Sequence, residues 1–202
     1  AAGFGPNRGD GIPDHAAAIQ FGSISLIPDP VGSTIIELVQ RERAHRVISF
    51  DPNIRDNLIT DESAFRARIA AAIATSTIVK ISDEDLLWIY RRDNVERAAD
   101  EMLKNGAKLV VVTAGAAGAR GYTHSVRATV AAEKVEVADT VGAGDSFHGA
   151  LLAWLYHENR LNEESIAALD EDHVKSMLHF ATFVSAKTCS RPGNDPPRLD
   201  EI

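Results

Sequence analysis

A short glycine-rich stretch carries the residues whose types and spacing best suit catalysis. Residues 139–150 read D-T-V-G-A-G-D-S-F-H-G-A, and an apolar run follows over 150–155. Glycines that open a helix point backbone N–H groups outward at the positive end of the helix dipole, where phosphate oxygens bind well. Asp145 falls in the first turn of this helix, where it can take a proton from a hydroxyl that attacks the phosphate. The alternative is an ordinary helix start, because acids are favoured in a first turn anyway.

Three further polar or glycine-rich clusters also have a functional and a structural interpretation. Residues 51–55 read D-P-N-I-R, residues 80–85 read K-I-S-D-E-D, and residues 113–118 read T-A-G-A-A-G. The guanidinium of Arg55 could hold a phosphate, and glycines after a strand let a base or a phosphate approach the backbone closely. Taken singly, residues 51–55 and 113–118 fit a solvated loop and a strand-to-strand turn better than a ligand site, and residues 80–85 also fit a capped helix start.

The elements that must position these clusters alternate between strands and helices. Short strands with helical crossovers indicate an α/β fold with a mainly parallel sheet, and ligands of such sheets collect where strands end. We therefore expect all four clusters at strand ends in one phosphate-handling site, with residues 131–138 forming either a strand end or a loop. The predicted strands are 16–27, 46–50, 77–81 and 108–113, the hairpin is 118–123 with 127–131, and the helices are 32–44, one that begins at Asp61, 82–90, 94–105 and 170–188, after a loop over 1–15.

Composition and charge exclude several classes of protein. The 202 residues are 45% hydrophobic and 25% charged, which suits one globular domain with a sizeable core. A net charge of −8, without an obvious basic face, argues against a nucleic-acid partner. No apolar run reaches the roughly 20 residues that cross a bilayer, no signal peptide is visible, and the single cysteine, Cys189, cannot form an internal disulfide. We expect a cytoplasmic protein that binds neither nucleic acid nor membrane.

Two nucleotide-binding motifs and a zinc site can be excluded. The chain contains no G-x-x-x-x-G-K-[ST] segment, so it is not a P-loop enzyme. After Gly142 and Gly144 the next glycine is Gly149, which is too late for the dinucleotide fingerprint. The histidines lack metal-ligand spacing, because His173 and His179 fall on different faces of a helix.

The full pattern D-T-V-G-A-G-D-S-F-x-G-A-L resembles the C-terminal signature of the PfkB (ribokinase-like) family of carbohydrate kinases. The resemblance implies a three-layer α/β/α ribokinase-like fold with a mainly parallel central sheet. It also implies that Asp145 is the catalytic base, in contact with the substrate. The N–H groups of Gly142, Ala143 and Gly144 would then form the anion hole for the transferred phosphoryl group.

The same resemblance assigns expected roles to other positions. D-x-N-x-R is typical of the fructokinase and ketodeoxygluconate kinase branch, so Asn53 and Arg55 are expected to bind substrate. K-I-S-D-E is similar to fructokinase-like members, with Ser82 and Asp85 where the family has the Asn and Glu of its N-x-x-E motif. T-x-G-x-x-G is similar to the family's nucleotide loop. The nucleotide is thus expected at Lys80, Ser82, Thr113, Gly115, Gly118 and Thr182, and metal ions at Asp85, Asp139, Val141, Thr188 and Gly193.

The resemblance begins at about residue 16. Nothing before it matches the first strands, the G-G-x-x-x-N sugar-binding stretch or the β lid of the family. We therefore expect residues 1–202 to form a single kinase domain that comprises the C-terminal two-thirds of the family's domain. A packed final helix and a proline-ended tail would explain Thr182, Thr188 and Gly193 as well as ligand binding does.

The function that the resemblance implies is ATP-dependent phosphorylation of a sugar hydroxyl, with a fructokinase-like substrate. It implies ATP and Mg²⁺ as cofactors, with K⁺ as a further candidate, a small-molecule sugar as partner, and a homodimer as a candidate assembly. Two alternatives stay open. One is a PfkB kinase for 2-keto-3-deoxygluconate, ribose or a nucleoside, and the other is a non-catalytic nucleotide-binding protein if the chain is complete as it stands.

Overall fold

The architecture is a six-stranded, mostly parallel sheet, in a computed structural model that describes residues 12–91 and 94–202. The strands lie side by side in chain order, with the first four parallel and the last two antiparallel. This sheet confirms the predicted fold class, and the hairpin at its edge confirms the predicted pair of antiparallel strands. Residues 1–11 of the predicted N-terminal loop lie outside the described residues. The strands are β1 (Ala18–Gly22), β2 (Val47–Asp51), β3 (Ile78–Ser82), β4 (Leu109–Thr113), β5 (Ala119–Tyr122) and β6 (Arg127–Val130).

Helices connect the parallel strands and follow the hairpin. Among the helices in the described ranges, none is long and apolar enough to cross a membrane. Short 3₁₀ turns add Ser23–Leu26, Asp56–Leu58, Gly115–Ala117 and Leu199–Glu201. The α-helices are α1 (Val31–Glu42), α2 (Glu62–Thr75), α3 (Asp83–Tyr90), α4 (Val95–Lys104), α5 (Ala143–His157), α6 (Glu163–Ala167) and α7 (Glu171–Cys189).

The two faces of the sheet belong to two separate apolar cores. Alternate side chains of a strand point to opposite faces, and each parallel strand in the middle of the sheet is buried on both sides. Val47, Ile78 and Leu109 pack with residues of α5 and α7, whereas Phe50 and Val79 pack with residues of α1 to α4. Helices therefore cover both faces, which gives the three layers.

Side-chain caps fix the starts of three helices that the sequence predicts. The Asp61 carboxylate accepts a hydrogen bond of 2.9 Å from the N–H of Ala64 at the start of α2. The Ser82 hydroxyl accepts one of 3.0 Å from the N–H of Asp85 at the start of α3, and Asn94 caps α4 in the same way. These bonds satisfy N–H groups that have no carbonyl partner one turn earlier.

One predicted strand is wrong in its bounds, and the segment over 131–138, which was predicted as either a strand end or a loop, is a loop. The strand predicted over 16–27 ends at Gly22, because that glycine packs against the end of β2 and Ser23, with a φ of 57°, turns the chain into a 3₁₀ turn. The segment over 131–141, before the glycine turn at 142–144, contains no strand and is mostly exposed. Its residues Ala138 and Asp139 donate instead to the carbonyl of Cys189 at the end of α7, so the glycine turn follows a loop rather than a strand end.

Candidate active site

The glycine turn opens α5 as the sequence predicts. Gly142 is its N-cap residue, with a φ of 80° and no side-chain cap. A side chain at Gly142 would collide with Asn194, whose Oδ1 lies 2.0 Å from the position of a Cβ atom. Of the three expected anion-hole donors, the N–H of Ala143 donates to the carbonyl of Thr140 over 3.2 Å. The uncapped start of α5 nevertheless offers an N-terminal helix dipole to an anion.

A buried lysine lies directly against this turn. Lys80, in the middle of β3, is 5% exposed, and its Nζ lies 3.2 Å from where a Cβ of Gly144 would be. The ammonium donates to Asp51 Oδ2 over 2.8 Å. Asp51 ends the neighbouring strand β2 and is itself 6% exposed. Positive charge therefore lies beneath the first turn of α5, where the sequence leads us to expect phosphate.

Two further buried polar side chains complete the surroundings of Asp51. His148, which lies on α5 one turn after Gly144, is fully buried, and its Nε2 shares a hydrogen bond of 2.6 Å with Ser49 Oγ on β2. Its Nδ1 lies 3.9 Å from Asp51 Oδ2. Burial alone would raise the pKa of Asp51, but the His148 contact and the Lys80 ammonium outweigh burial and hold the pKa below its usual value.

Asp85 and Ser82 lie at the start of α3, beside this ion pair. Asp85 is partly buried, and its Oδ1 accepts a hydrogen bond of 3.2 Å from the N–H of Ile54. Burial raises the pKa of Asp85 despite that bond, and the charge of Asp51 adds to the effect. A carboxylate whose charge is disfavoured in this way is suited to a nearby cation.

Asp145, the expected base, follows Gly144 in the first turn of α5 and is exposed to solvent. The expected substrate residues Asn53 and Arg55 lie in the loop after β2. Asn53 has a φ of 39°, and the Arg55 guanidinium donates to Asn53 Oδ1 over 2.7 Å and to the carbonyl of Ile54 over 3.0 Å. Arg55 is therefore folded onto its own loop, and the structure does not bring its guanidinium to the glycine turn.

The expected nucleotide loop joins β4 to β5. Thr113 pairs in register with Ser82 of β3, so two of the expected nucleotide residues lie on adjacent strand ends. Gly118, with a φ of 97°, has a structural reason to be glycine, since a Cβ would lie 2.1 Å from the carbonyl oxygen of Val130. Gly115 has open space around it. Gly118 is thus required by the turn, whereas Gly115 leaves space beside the loop for a ligand.

Three of the residues that were expected to bind metal ions, Asp139, Val141 and Gly193, meet around one carboxylate. Asp139 accepts hydrogen bonds from the N–H groups of Val141 and Gly193 over 3.0 and 3.1 Å, and these bonds lower its pKa. Thr188 is buried, and its hydroxyl donates to Val184 within α7. No group of three or more histidine, cysteine or acidic side chains in the described ranges is arranged to hold a metal ion.

Thr182, which was expected to bind the nucleotide, lies in the middle of α7. It is mostly buried, and its hydroxyl donates to the carbonyl of His179 over 2.9 Å. The structure therefore does not turn this hydroxyl toward the glycine turn.

The comparison with protein families agrees with the geometry. The model of the pfkB family carbohydrate kinases matches residues 11–200. The chain belongs to this family. A fructokinase from Rhizobium leguminosarum bv. trifolii is 48% identical to this PfkB chain over 163 residues, which cover 81% of the chain and 50% of that relative. The chain thus spans about half the length of the curated relatives that head the comparison.

Solved structures share the fold of this PfkB chain. An uncharacterized sugar kinase from Pyrococcus horikoshii in complex with ATP superposes with a TM-score of 0.77 at 27% identity, over 94% of this chain and 57% of that one. A fructokinase from Vibrio cholerae O395 in its fructose-, ADP- and calcium-bound form superposes with a TM-score of 0.74 at 26% identity, over 91% and 58% of the two chains.

The PfkB signature accounts for Gly142, Gly144 and Asp145, but sequence reasoning missed the residues behind them. Ser49 and His148 are both fully buried and in contact with each other. One signal could have revealed His148, because it follows Gly144 by four residues and must share its face of the helix. Ser49 gave no signal of its own, since a serine in an apolar strand is unremarkable until its neighbour on α5 is known.

Proposed function

We propose that this PfkB chain catalyses ATP-dependent phosphorylation of a sugar hydroxyl, with fructose as the substrate. The observation that carries the proposal is the position of the Lys80 ammonium against Gly144, at the N-terminus of the helix that also carries Asp145. Two sources of positive potential, a helix dipole and a buried ammonium, converge where a phosphoryl group would be transferred.

In the proposed reaction, the Asp145 carboxylate takes the proton of the sugar hydroxyl while the hydroxyl oxygen attacks the γ-phosphorus of ATP. The bond between that phosphorus and the β–γ bridging oxygen breaks, and ADP leaves. Lys80 and the N–H groups at the start of α5 stabilise the charge on the oxygens of the transferred group. The exposure of Asp145 suits this role, because a base must reach the substrate from the site's open side.

Asp85 fits a Mg²⁺ ion by the chemistry of its carboxylate. It is partly buried beside Asp51, its pKa is raised, and carboxylate oxygens are the ligands that Mg²⁺ prefers. A single acid is sufficient, because Mg²⁺ is usually held by one or two carboxylates together with substrate phosphates and water. When bound, Mg²⁺ would neutralise charge on the nucleotide phosphates.

A second cation site is proposed for K⁺. It lies where the Asp139 carboxylate accepts the N–H of Gly193. The Asp139 carboxylate already accepts two backbone N–H groups, so its oxygens are engaged in shaping the loop. The ligands that remain for K⁺ would be backbone carbonyls near Asp139, Val141, Thr188 and Gly193.

Fructose is favoured over other acceptors by the names of the relatives. The Rhizobium relative is a fructokinase, and the Vibrio fructokinase binds fructose and ADP. ATP as donor is supported by the ATP complex of the Pyrococcus sugar kinase. Substrate residues Asn53 and Arg55 are expected to change conformation on binding, because the Arg55 guanidinium now lies on its own loop.

The test measures sugar-dependent ADP release by the natural full-length protein with ATP and Mg²⁺. Fructose should give a higher kcat/KM than 2-keto-3-deoxygluconate, ribose or adenosine. Asp145→Asn should lower kcat by about 10²–10⁴-fold, the usual contribution of a general base. The matched control is Asp172→Asn, which alters an exposed first-turn acid of α7 and should leave kcat unchanged.

Other results would contradict parts of the proposal. An Asp145→Asn variant with normal turnover would remove Asp145 from the mechanism. Preference for another acceptor would assign a different PfkB substrate. Binding of an ATP analogue without ADP release for any acceptor would indicate a non-catalytic nucleotide-binding protein.

A further inference from the structure

Two buried polar side-chain atoms of the described residues make no hydrogen bond, and both lie behind the glycine turn. They are Asp51 Oδ1 and His148 Nδ1. A buried polar atom without a partner costs free energy, and such atoms are rare enough in folded proteins that each one calls for a reason. That the two belong to neighbouring side chains suggests a reason common to both.

The fold brings these side chains together from two elements. Ser49 and Asp51 are two residues apart on β2, so both point to the face of the sheet that α5 covers. His148 follows Gly144 by four residues on α5, so the imidazole and the glycine turn share one helix face. Ser49 Oγ holds the imidazole at Nε2 over 2.6 Å, and Nδ1 faces Asp51 Oδ2 at 3.9 Å without a hydrogen bond.

The charges in this network leave one ammonium for two acceptors. Lys80 Nζ donates to Asp51 Oδ2 over 2.8 Å and also lies against Gly144. A phosphoryl group at the glycine turn would compete with Asp51 for this ammonium, because both are anionic. If Lys80 turned to the phosphoryl group, the Asp51 carboxylate, which is 6% exposed, would stay buried without its cation. Such a loss is strongly destabilising unless another donor replaces the ammonium.

We propose that His148 is a positioning residue for Lys80, acting as a second donor to Asp51 that frees the ammonium to contact the transferred phosphoryl group. In this arrangement the Ser49 hydroxyl donates to Nε2, and the Nδ1–H of His148 faces the Asp51 carboxylate. The gap of 3.9 Å closes to hydrogen-bond range, about 2.9 Å, when the carboxylate turns away from Lys80. The inference rests on the proposed kinase function and deepens it.

The test uses three variants of His148 in the natural full-length protein. His148→Asn keeps an N–H near the position of Nδ1, His148→Gln keeps one near the position of Nε2, and His148→Leu keeps neither. If the donor to Asp51 matters, His148→Leu and His148→Gln should lower kcat by about 10- to 100-fold, as expected for losing a hydrogen bond to a buried charge. His148→Asn should recover most of kcat, and KM for the sugar should stay within about twofold in all three.

A double-variant comparison separates positioning from packing. His148→Leu in a Lys80→Met background should lower kcat by much less than it does in the wild-type background, because the residue through which it acts is already gone. Equal losses in both backgrounds would overturn the proposal, and so would a His148→Gln variant more active than His148→Asn. Thermal unfolding of each variant identifies losses that come only from reduced stability.

A measurement without turnover distinguishes failure of this inference from failure of the proposed function. The ¹⁵N chemical shifts of the His148 ring should show a protonated Nδ1, and an unprotonated Nδ1 would overturn the inference whatever the activity. If the wild-type protein releases no ADP with any sugar, the proposed function fails, and the role for His148 in phosphoryl transfer fails with it. Normal wild-type turnover with His148→Asn no better than His148→Leu would contradict the role of His148 alone.

Discussion

Gly144 is distinguished by its neighbour rather than by its backbone. Gly142 has a φ of 80°, which favours glycine, but Gly144 lies inside α5 and does not have a positive φ. What sets Gly144 apart is the Lys80 Nζ, 3.2 Å from the position of a Cβ. Gly149, on the same helix, has nothing within 4 Å of that position. The missing side chain at 144 therefore makes room for an ammonium.

Alanine substitutions at Gly144 and Gly149 should separate the effect of the close Lys80 contact from the effect of helix propensity. Gly144→Ala should lower kcat, because the methyl group would lie 3.2 Å from the Lys80 Nζ and push the ammonium away from the glycine turn by a few tenths of an ångström. A loss of about tenfold or more is expected if the ammonium contacts the transferred phosphoryl group. Gly149→Ala should leave kcat unchanged and raise the free energy of unfolding by about 0.5–1 kcal/mol, since alanine favours a helix over glycine.

Steady-state kinetics and urea unfolding of both variants check this prediction. Equal kcat values for Gly144→Ala and Gly149→Ala would mean that the close approach of Lys80 has no part in catalysis. If a second substitution that changes the side-chain length at position 80 restores the kcat lost in Gly144→Ala, the contact between Lys80 and position 144 is supported directly.

At the scale of elements, the loop between β4 and β5 combines two kinds of glycine. Gly118 must accept a φ of 97° with the Val130 carbonyl against it, whereas Gly115, with a φ of 49°, faces open space. The carbonyl of Gly118 also accepts the N–H of Ala114 over 2.9 Å, which closes the turn. Gly118 therefore belongs to the architecture of the hairpin, and Gly115 is the residue free to approach a ligand.

Unfolding measurements on two alanine variants should separate these roles. Gly118→Ala should lower the free energy of unfolding by more than about 2 kcal/mol, since a backbone carbonyl must move to admit the methyl group. Gly115→Ala should cost about 1 kcal/mol from backbone strain alone. Urea midpoints of the two variants compared with wild type give the answer, and equal costs at the two positions would refute the assignment of Gly118 to the turn.

The same elements show which features of the fold the sequence predicts and why it does not predict the others. Capping residues such as Asp61 and Ser82 locate helix starts, because the hydrogen bonds they make are local. The five-residue α6 was missed because it is too short for a periodic pattern, although Asn162 caps it. The contact between Ser49 and His148 joins positions 99 residues apart, and no local pattern encodes a partner at that distance.

At the scale of the whole molecule, the sheet separates two cores that differ in polarity. The side toward α1 to α4 is apolar along β2 and β3, with Phe50 and Val79 among its members. On the side toward α5, apolar residues such as Val47 and Ile78 are followed along the strands by Asp51, the last residue of β2, and Lys80, in the middle of β3. The buried Lys80–Asp51 ion pair thus lies at the edge of the apolar α5 core, and we expect the stability of that core to depend on it.

Replacing Asp51 by asparagine should show this dependence and its variation with pH. Asp51→Asn leaves the Lys80 ammonium buried without a counter-ion, and breaking such a pair costs about 3–5 kcal/mol near neutral pH. The folded-state pKa of Asp51 lies below its ordinary value of 3.8, so its contribution to stability is present above that value and is lost as pH falls through the folded-state pKa. The difference in unfolding free energy between wild type and Asp51→Asn should therefore be constant from pH 7 down to about 5 and shrink below about 4.

Asp100→Asn, which removes an exposed ion pair with Arg127, is the matched control and should change the unfolding free energy little at any pH. A difference between wild type and Asp51→Asn that stays constant down to pH values near 2 would mean that the Asp51 carboxylate does not stabilise the α5 core through its charge.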